Sequence, residues 1–267
     1  MTLSIGCIGC GNMGGAILGG LAQSGKDIKL YGHTRTMSRL DALEAKGVVK
    51  VASAQDMPSR CRYLVLAVKP YQAKDVLAQI RDKLSAGNVL VSICAGLGIA
   101  TLKEASGGRC PVVRCMPNTP AVVGEGVFAF SFEDPSLAPE QREEILSAFA
   151  SLGQCVEVPE ARFTAFTSLI GAGPAYLFDL MEGMVQAGVA LGFQHRDCRA
   201  MVAQLFAGCG RMALQRPDVH LMQLRDDVCS PAGTTIAGVN RMDADGLAGK
   251  LAQAVFAAND RGREMEG

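Results

Sequence analysis

Charge is scarce in this sequence, and neither sign is in excess. Asp, Glu, Lys and Arg make up 19% of the 267 residues, with 26 basic against 26 acidic side chains. Without a surplus, nothing points to nucleic acid or an anionic membrane surface as a partner. Histidine is nearly missing: His33, His195 and His220 are the only ones, and none has a carboxylate and a nucleophile beside it in the sequence. His195, in the polar turn Gln194-His195-Arg196-Asp197, reads as a surface residue. A paired-carboxylate site is not expected either, since the adjacent Asp226 and Asp227 would not face each other on a helix. No basic leader with a cleavage site precedes the first apolar run, so no signal peptide is expected and the chain is assigned to the cytoplasm. The long apolar stretch around Phe163–Phe193 is interrupted by Gly171, Gly173, Pro174, Asp179 and Glu182, which suits a buried helix better than a membrane span.

What the chain has is apolar residues (49%), 31 glycines and ten scattered cysteines. That is enough to build a sizeable core, in one domain or two. Most cysteines sit inside apolar runs. Cys7 and Cys10 form a C-x-x-C, but no second ligand pair is spaced to complete a metal site, so no metal is expected. Small reduced thiols in a core are the favoured reading over a redox pair.

The most informative early stretch is Leu3–Leu18, where an apolar run leads into Gly9-x-Gly11-x-x-Gly14 and then an amphipathic run to Gln23. In a strand–turn–helix unit Gly9 permits the tight turn, Gly11 lets the backbone approach a pyrophosphate, and Gly14 allows close helix–strand packing. Free N–H groups at the helix start would hold the phosphates.

Further strands are expected at Ile28–Tyr31, Val48–Val51, Tyr63–Val68, Val89–Ile93, Val112–Met116, Val127–Phe132 and Gln154–Val158. Helices are expected at Thr36–Lys46, Tyr71–Leu84, near Ile99–Glu104 and at Pro139–Leu152. This alternation indicates an α/β fold with a doubly wound, mostly parallel sheet. Beyond Pro159 the pattern turns helical, at about Ala161–Gly192, Arg196–Gln215, Asp218–Cys229, Thr234–Arg241 and Gly246–Glu264. The first of these is apolar on most faces, so an all-α domain that buries it against a second copy is expected, with the boundary near Pro159.

In NAD-binding units an acidic residue near the end of the second strand bonds the ribose 2′-hydroxyl. Here Tyr31-Gly32-His33-Thr34-Arg35-Thr36 has no carboxylate, and Arg35 could pair with a 2′-phosphate instead. NADPH is therefore favoured over NADH, the alternative being that Arg35 only starts an exposed helix. Ligands of such sheets lie outside the carboxyl ends of the strands. That brings in Ala67-Val68-Lys69-Pro70, Ser92–Gly96 and Arg114–Pro120, with Asn118 and Thr119 stiffened between Pro117 and Pro120. Each could equally be an ordinary loop. Lys69 is read as nearer the cofactor than the chemistry.

Near the far end, Leu224–Gly238 holds a turn in which Ser230, Thr234 and Thr235 surround Pro231-Ala232-Gly233 at the start of a helix. Its N–H groups and hydroxyls could seat a small carboxylate, or Ser230 or Thr234 could simply cap the helix.

With these residues in view the chain resembles pyrroline-5-carboxylate reductases. The likeness lies in Leu224-Arg225-Asp226-x-Val228-Cys229-Ser230-Pro231-x-Gly233-Thr234-Thr235, against the family's L-R-D-x-V-[TC]-S-P-x-G-T-T. Val113-Arg114-x-Met116-Pro117-Asn118-Thr119-Pro120, Gly173-Pro174-Ala175-Tyr176 and Ala67–Pro70 fit in the family's order, and the likeness covers essentially the whole chain.

The resemblance implies a Rossmann domain (1–159) that binds NADPH and a helical dimerisation and substrate domain (160–267). It further implies that a homodimer builds the active site, often within a ring of dimers. The implied reaction is reduction of 1-pyrroline-5-carboxylate to L-proline, the last step of proline synthesis. Ile8, Gly9, Cys10, Gly11, Asn12 and Met13 would contact the cofactor, as would Ala67, Val68, Lys69, Pro70, Ile93, Cys94 and Ala95. Gly14, Thr34 and Arg35 join them from the glycine turn and the end of the second strand. The substrate would meet Asn118, Ser230, Ala232, Gly233, Thr234 and Thr235, with Thr235 bonding the ring nitrogen. Ala232 stands where the family often has glycine and Ala172 where it often has serine, so the substrate turn must differ locally if a glycine φ is needed. The rivals are a related reductase of β-hydroxy acids and a dinucleotide-binding regulatory protein without activity. The first needs a helical-domain lysine, and Lys250 alone follows Pro159.

Overall fold

The structure, a computed structural model, describes residues 3–266. Met1, Thr2 and Gly267, at the outer ends of the two expected domains, lie outside the described residues. Strands β1 (Leu3–Ile8), β2 (Ile28–His33), β3 (Val49–Lys50), β4 (Tyr63–Leu66), β5 (Val89–Ser92), β6 (Val112–Met116), β7 (Gly126–Ser131) and β8 (Gly153–Glu157) form one sheet. Their order is β3-β2-β1-β4-β5-β6-β7-β8, and only the β6–β7 pair is antiparallel. The chain reverses its direction of winding between β1 and β4, which is the switch point where such sheets open a crevice.

Every residue of β4, β5 and β6 is buried. Alternate side chains feed two cores, as the period of two requires. Tyr63 and Val65 pack with α1 (Asn12–Gln23), while Leu64 and Leu66 face the opposite core. Between the strands run the short α2 (Asp41–Glu44) and α3 (Met57–Arg60), then α4 (Pro70–Ile80), α5 (Ile99–Ala105) and α6 (Pro139–Phe149). Helices α4 and α5 cover the second core and α6 the first.

Two local expectations differ. The helix expected over Thr36–Lys46 is a 3₁₀ turn at Met37–Leu40 followed by α2, because only Leu40 and Leu43 are buried there. The segment after β3, where no element was expected, holds the 3₁₀ turn Ala54–Asp56 and α3. The Ser53 hydroxyl accepts the Gln55 N–H at 3.2 Å, and Met57 is fully buried.

The single helix expected over Ala161–Gly192 is divided. A 3₁₀ turn (Glu160–Arg162) leads to α7 (Phe163–Phe166), a π-helical turn at Thr167–Gly171 and then α8 (Gly173–Ala190). Pro174 has no N–H to give the carbonyl four residues earlier, so the regular ladder cannot run through. The wider turn closes with Ala172 N–H donating to Thr167 O at 2.8 Å.

The chain forms two compact units: residues through Ala172 together with those from Asn259 on, and Gly173–Ala258. The second is helical, with α8, α9 (His195–Gln215), α10 (Leu221–Asp226), α11 (Thr234–Ala244) and the start of α12 (Leu247–Glu266). Its buried apolar residues, among those described, are Val185, Cys198 and Val202. Large apolar side chains such as Phe178, Leu191, Leu214 and Phe256 are exposed. No helix among the described residues is long and apolar enough to cross a membrane.

Candidate active site

Sheet register brings the expected cofactor residues together. Ile8 lies level with His33 on β2 and Leu66 on β4, Leu66 with Ser92 on β5, and Ser92 with Arg114 on β6. The segments leaving those strands, Gly9–Gly14, Thr34–Arg35, Ala67–Pro70 and Ile93–Ala95, therefore emerge side by side at the carboxyl edge of the sheet. Gly9 N–H donates to His33 O and Ala67 N–H to Ile8 O, both at 2.8 Å, tying three of these loops together.

The three glycines of the turn have three distinct environments. Gly9 has φ +99°, and a Cβ there would lie 2.8 Å from the Ala67 carbonyl carbon. At Gly14 a Cβ would meet Gly9 O at 2.6 Å and Cys7 Sγ at 2.8 Å. A Cβ at Gly11 would meet nothing within 4 Å beyond its chain neighbours and its own helix backbone. Gly11 is also the N-cap of α1, and no side chain caps that helix. A helix N-terminus with unspent N–H groups, an open approach and no acidic residue in its first turn fits a pyrophosphate.

Arg35 is exposed just past β2, and Lys69 is exposed as the N-cap of α4. His33 is held by Val51 O at 2.9 Å from its Nδ1. Cys7 and Cys10 pack in the core beneath the glycine turn. The hydrogen bond with Cys10, together with full burial, pushes the Cys7 thiol well above the ordinary range. Burial pushes Cys61 up to about 12 and Cys94 to about 11, so these thiols stay protonated at neutral pH. Among the described residues no three His, Cys, Asp or Glu converge as a metal site would require.

Asn118 is buried at the end of β6, where its Oδ1 accepts the Val127 N–H at 2.9 Å. Its Nδ2 donates to Ile170 O at 3.4 Å, the carbonyl four residues before Pro174. The side chain thus braces the strand-end loop and the π-helical turn, with amide hydrogen-bonding capacity left over.

The sequence reading missed an ion pair at the same edge between a buried arginine and a half-buried glutamate. Arg114 Nη1 lies 3.0 Å from Glu160 Oε1, and its guanidinium sits 4.6 Å above the Phe163 ring. The signal was available: a lone arginine inside the apolar run Val112–Met116 cannot be buried without a partner. Nearby, Asp134 accepts from Lys103 Nζ at 2.7 Å, Val112 N–H at 2.8 Å and Ser136. Burial alone would raise its carboxyl pKa, but these bonds outweigh it and bring the group down to about 2.

The helical unit carries the expected substrate residues other than Asn118. Ser230, Pro231, Ala232 and Gly233 make a turn closed by Gly233 N–H to Ser230 O at 3.0 Å. Pro231 in second place and Ala232 at φ +58° in third make it type II, so Ala232 takes the left-handed conformation without being glycine. A Cβ on Gly233 would collide with the Ser230 hydroxyl. Gly233 is the N-cap of α11 and has no side chain to cap it. No hydrogen bond from the Ser230 or Thr234 hydroxyl takes that place, so plain capping is absent, and Thr234 and Thr235 are exposed. Arg225 Nη1 reaches Asp243 at 3.5 Å, linking α10 to α11 on either side of the turn.

Two family models match the chain, one toward each end. Residues 4–96 match the family described as NADP oxidoreductase coenzyme F420-dependent, and residues 160–265 the one described as pyrroline-5-carboxylate reductase dimerisation. Pyrroline-5-carboxylate reductase 3 of Xenopus laevis is 33% identical over 268 residues, covering 99% of this chain and 97% of the relative. The solved pyrroline-5-carboxylate reductase of Coxiella burnetii superposes with a TM-score of 0.91 at 30% identity, covering 100% of both chains. The Plasmodium falciparum pyrroline carboxylate reductase, solved with NADP bound, gives 0.85 at 29% identity, covering 99% of this chain and 98% of that one.

Proposed function

Since this chain belongs to the pyrroline-5-carboxylate reductase family, we propose that it reduces 1-pyrroline-5-carboxylate to L-proline with NADPH. The observation that carries the reading is the Ser230–Thr235 turn, whose uncapped helix start and exposed hydroxyls suit a small carboxylate beside a ring nitrogen. NADPH, when bound, would supply a hydride to the carbon of the protonated C=N bond, C2 of 1-pyrroline-5-carboxylate, which becomes the δ-carbon of proline.

The chain's residues do the rest. The N–H groups that open α1 hold the pyrophosphate, with Gly11 leaving the approach clear. Arg35 and Thr34 receive the 2′-phosphate. Ala67, Val68, Lys69, Pro70, Ile93, Cys94 and Ala95 line the remainder of the cofactor. The first N–H groups of α11, with Ser230, Ala232, Gly233 and Thr234, seat the substrate carboxylate, and the free amide capacity of Asn118 serves the same substrate. The Thr235 hydroxyl orients the ring nitrogen. The protonated imine is already electrophilic, so positioning is the main contribution, worth up to about 7–11 kcal/mol of barrier in favourable cases.

Residues 160–267 act as the dimerisation and substrate domain and 1–159 as the cofactor domain. The exposed apolar side chains of the helical unit support a homodimer, which can associate further into a ring. Ten unpaired thiols suit the reducing cytoplasm.

The test is optical: NADPH consumption with 1-pyrroline-5-carboxylate, for the wild type and Thr235→Ala. The variant is expected to lose about 10²-fold in kcat/KM while NADPH binding survives. Wild-type turnover by Thr235→Ala removes the role of Thr235. A folded wild type that binds NADPH but turns nothing over would instead be a regulatory protein.

A further inference from the structure

The loop that follows β5, Cys94–Gly98, is pinned at both ends. At its start Cys94 Sγ reaches Val68 O at 3.3 Å, and Cys94 N–H reaches Ser92 Oγ at 3.3 Å. At its far end the N–H of Ile99, first residue of α5, donates to Glu160 Oε1 at 2.7 Å. Between the pins Ala95 and Gly96 are exposed, and Gly96 has φ +75°.

Glu160 is 61 residues away from Ile99 in sequence, and three contacts fix where its carboxylate goes. Its own N–H donates to Glu133 Oε1 at 3.0 Å. The same Oε1 that receives Ile99 meets Arg114 Nη1 at 3.0 Å. Arg114 is in turn a buried residue of β6 whose guanidinium stacks on the Phe163 ring. A Cβ on Gly98 would stand 3.4 Å from Oε1, an ordinary van der Waals contact, so the carboxylate passes directly beside residue 98. Arg114 is level with Ser92 across the β5–β6 pair, so this clamp sits at the height of the loop itself.

We propose that Glu160 is a positioning residue for the nicotinamide half of the cofactor: oriented by Arg114, it fixes the Cys94–Gly98 loop so that Ala95 and Gly96 present one surface to the ring. This rests on the NADPH reading above, and goes beyond it by assigning a role to a residue that touches neither cofactor nor substrate. A charge-assisted bond to a backbone N–H at a helix start holds that end of the loop firmly. The pair with Arg114 supplies the direction, since one oxygen serves both donors.

Two substitutions separate reach from charge. Glu160→Asp keeps the charge but is one methylene too short to serve Ile99 and Arg114 together. Glu160→Gln keeps the reach and an acceptor oxygen while losing the charge. Dissociation constants are measured for NADP⁺ and for 2′,5′-ADP, which carries the 2′-phosphate but no nicotinamide. Glu160→Asp is expected to weaken NADP⁺ about tenfold and to leave 2′,5′-ADP unchanged, with Glu160→Gln closer to wild type. Equal weakening of both ligands, no weakening of either, or a worse Glu160→Gln than Glu160→Asp overturns the proposal. Should Glu160→Asp fail to fold, Arg114→Lys, which keeps the charge but loses the fixed fork, takes its place with the same two ligands and the same expectation. A wild type that binds neither ligand would overturn the NADPH reading itself, a result distinct from those above.

Discussion

Two glycines of the same turn make opposite demands. Gly9 is needed by the fold: its φ of +99° lies where side chains are rarely found, and a Cβ would press on the Ala67 carbonyl. Gly11 has ordinary dihedrals and empty surroundings, so the fold asks nothing of it. Gly9→Ala is therefore expected to lower unfolding free energy by about 1–3 kcal/mol, read by urea denaturation. Gly11→Ala should leave that curve unmoved and weaken NADPH binding at least about tenfold, because the new methyl fills the approach of the pyrophosphate. A Gly11→Ala protein that binds NADPH normally would remove the phosphates from this turn. Ala232 is the counterpart in the substrate turn: it accepts left-handed backbone at a strain of about 1 kcal/mol, so the departure from glycine changes energy and leaves the turn type intact. That answer was not in the sequence, because a type II turn with alanine in third place differs from its alternatives by no more than that strain.

At the scale of elements, the strands were the most legible part. Tyr63–Leu66 and residues 89–91 are unbroken apolar runs because both faces of a parallel strand are covered. The division at Thr167–Gly171 was not legible. It depends on which carbonyl Pro174 leaves without its helical partner and on Asn118, some fifty residues earlier, being able to reach that carbonyl. The Arg114–Glu160 pair was likewise hidden by 46 residues of separation, although the arginine itself announced a missing partner. Asp134 belongs to this class of long-range brace, binding Lys103 on α5 and the first N–H of β6. Its carboxyl sits at about 2 in the fold against 3.8 as the ordinary value, so the folded chain holds this proton more weakly than the unfolded one. The stabilisation is complete above about pH 4 and is lost as pH falls toward 2, amounting to roughly 2 kcal/mol. Denaturation curves across that range should show the loss, and Asp134→Asn should be less stable at neutral pH by a similar amount with a flatter acid limb. A parallel acid limb in the variant would assign the loss to other carboxylates.

For the whole molecule, the helical unit sets the terms. Its buried apolar residues, among those described, are Val185, Cys198 and Val202, too few to hold five helices against the entropy of ordering them. Along α9, Met201, Leu205 and Met212 form an open apolar face, with Cys209 and Gly208 between them. Small residues beside large ones leave room for a neighbour's side chains to enter, which is how two helical faces interdigitate. In the proposed homodimer a second copy of the same unit would supply those side chains and close the contact on itself by two-fold symmetry, without leaving an open end. Leu205, half exposed in the isolated chain, would then lie at the centre of a dry interface. Leu205→Glu is expected to weaken self-association by about 3 kcal/mol or more, over a hundredfold, because it buries a charge with no partner. Sedimentation equilibrium should then find monomers at concentrations where the wild type is dimeric. NADP⁺ binding should persist in that monomer, since the glycine turn and its neighbouring loops belong to the other unit, whereas reduction of the imine should fall with the dimer population. A fully active Leu205→Glu monomer would mean that one chain completes the site alone, and that the apolar face of α9 serves stability only.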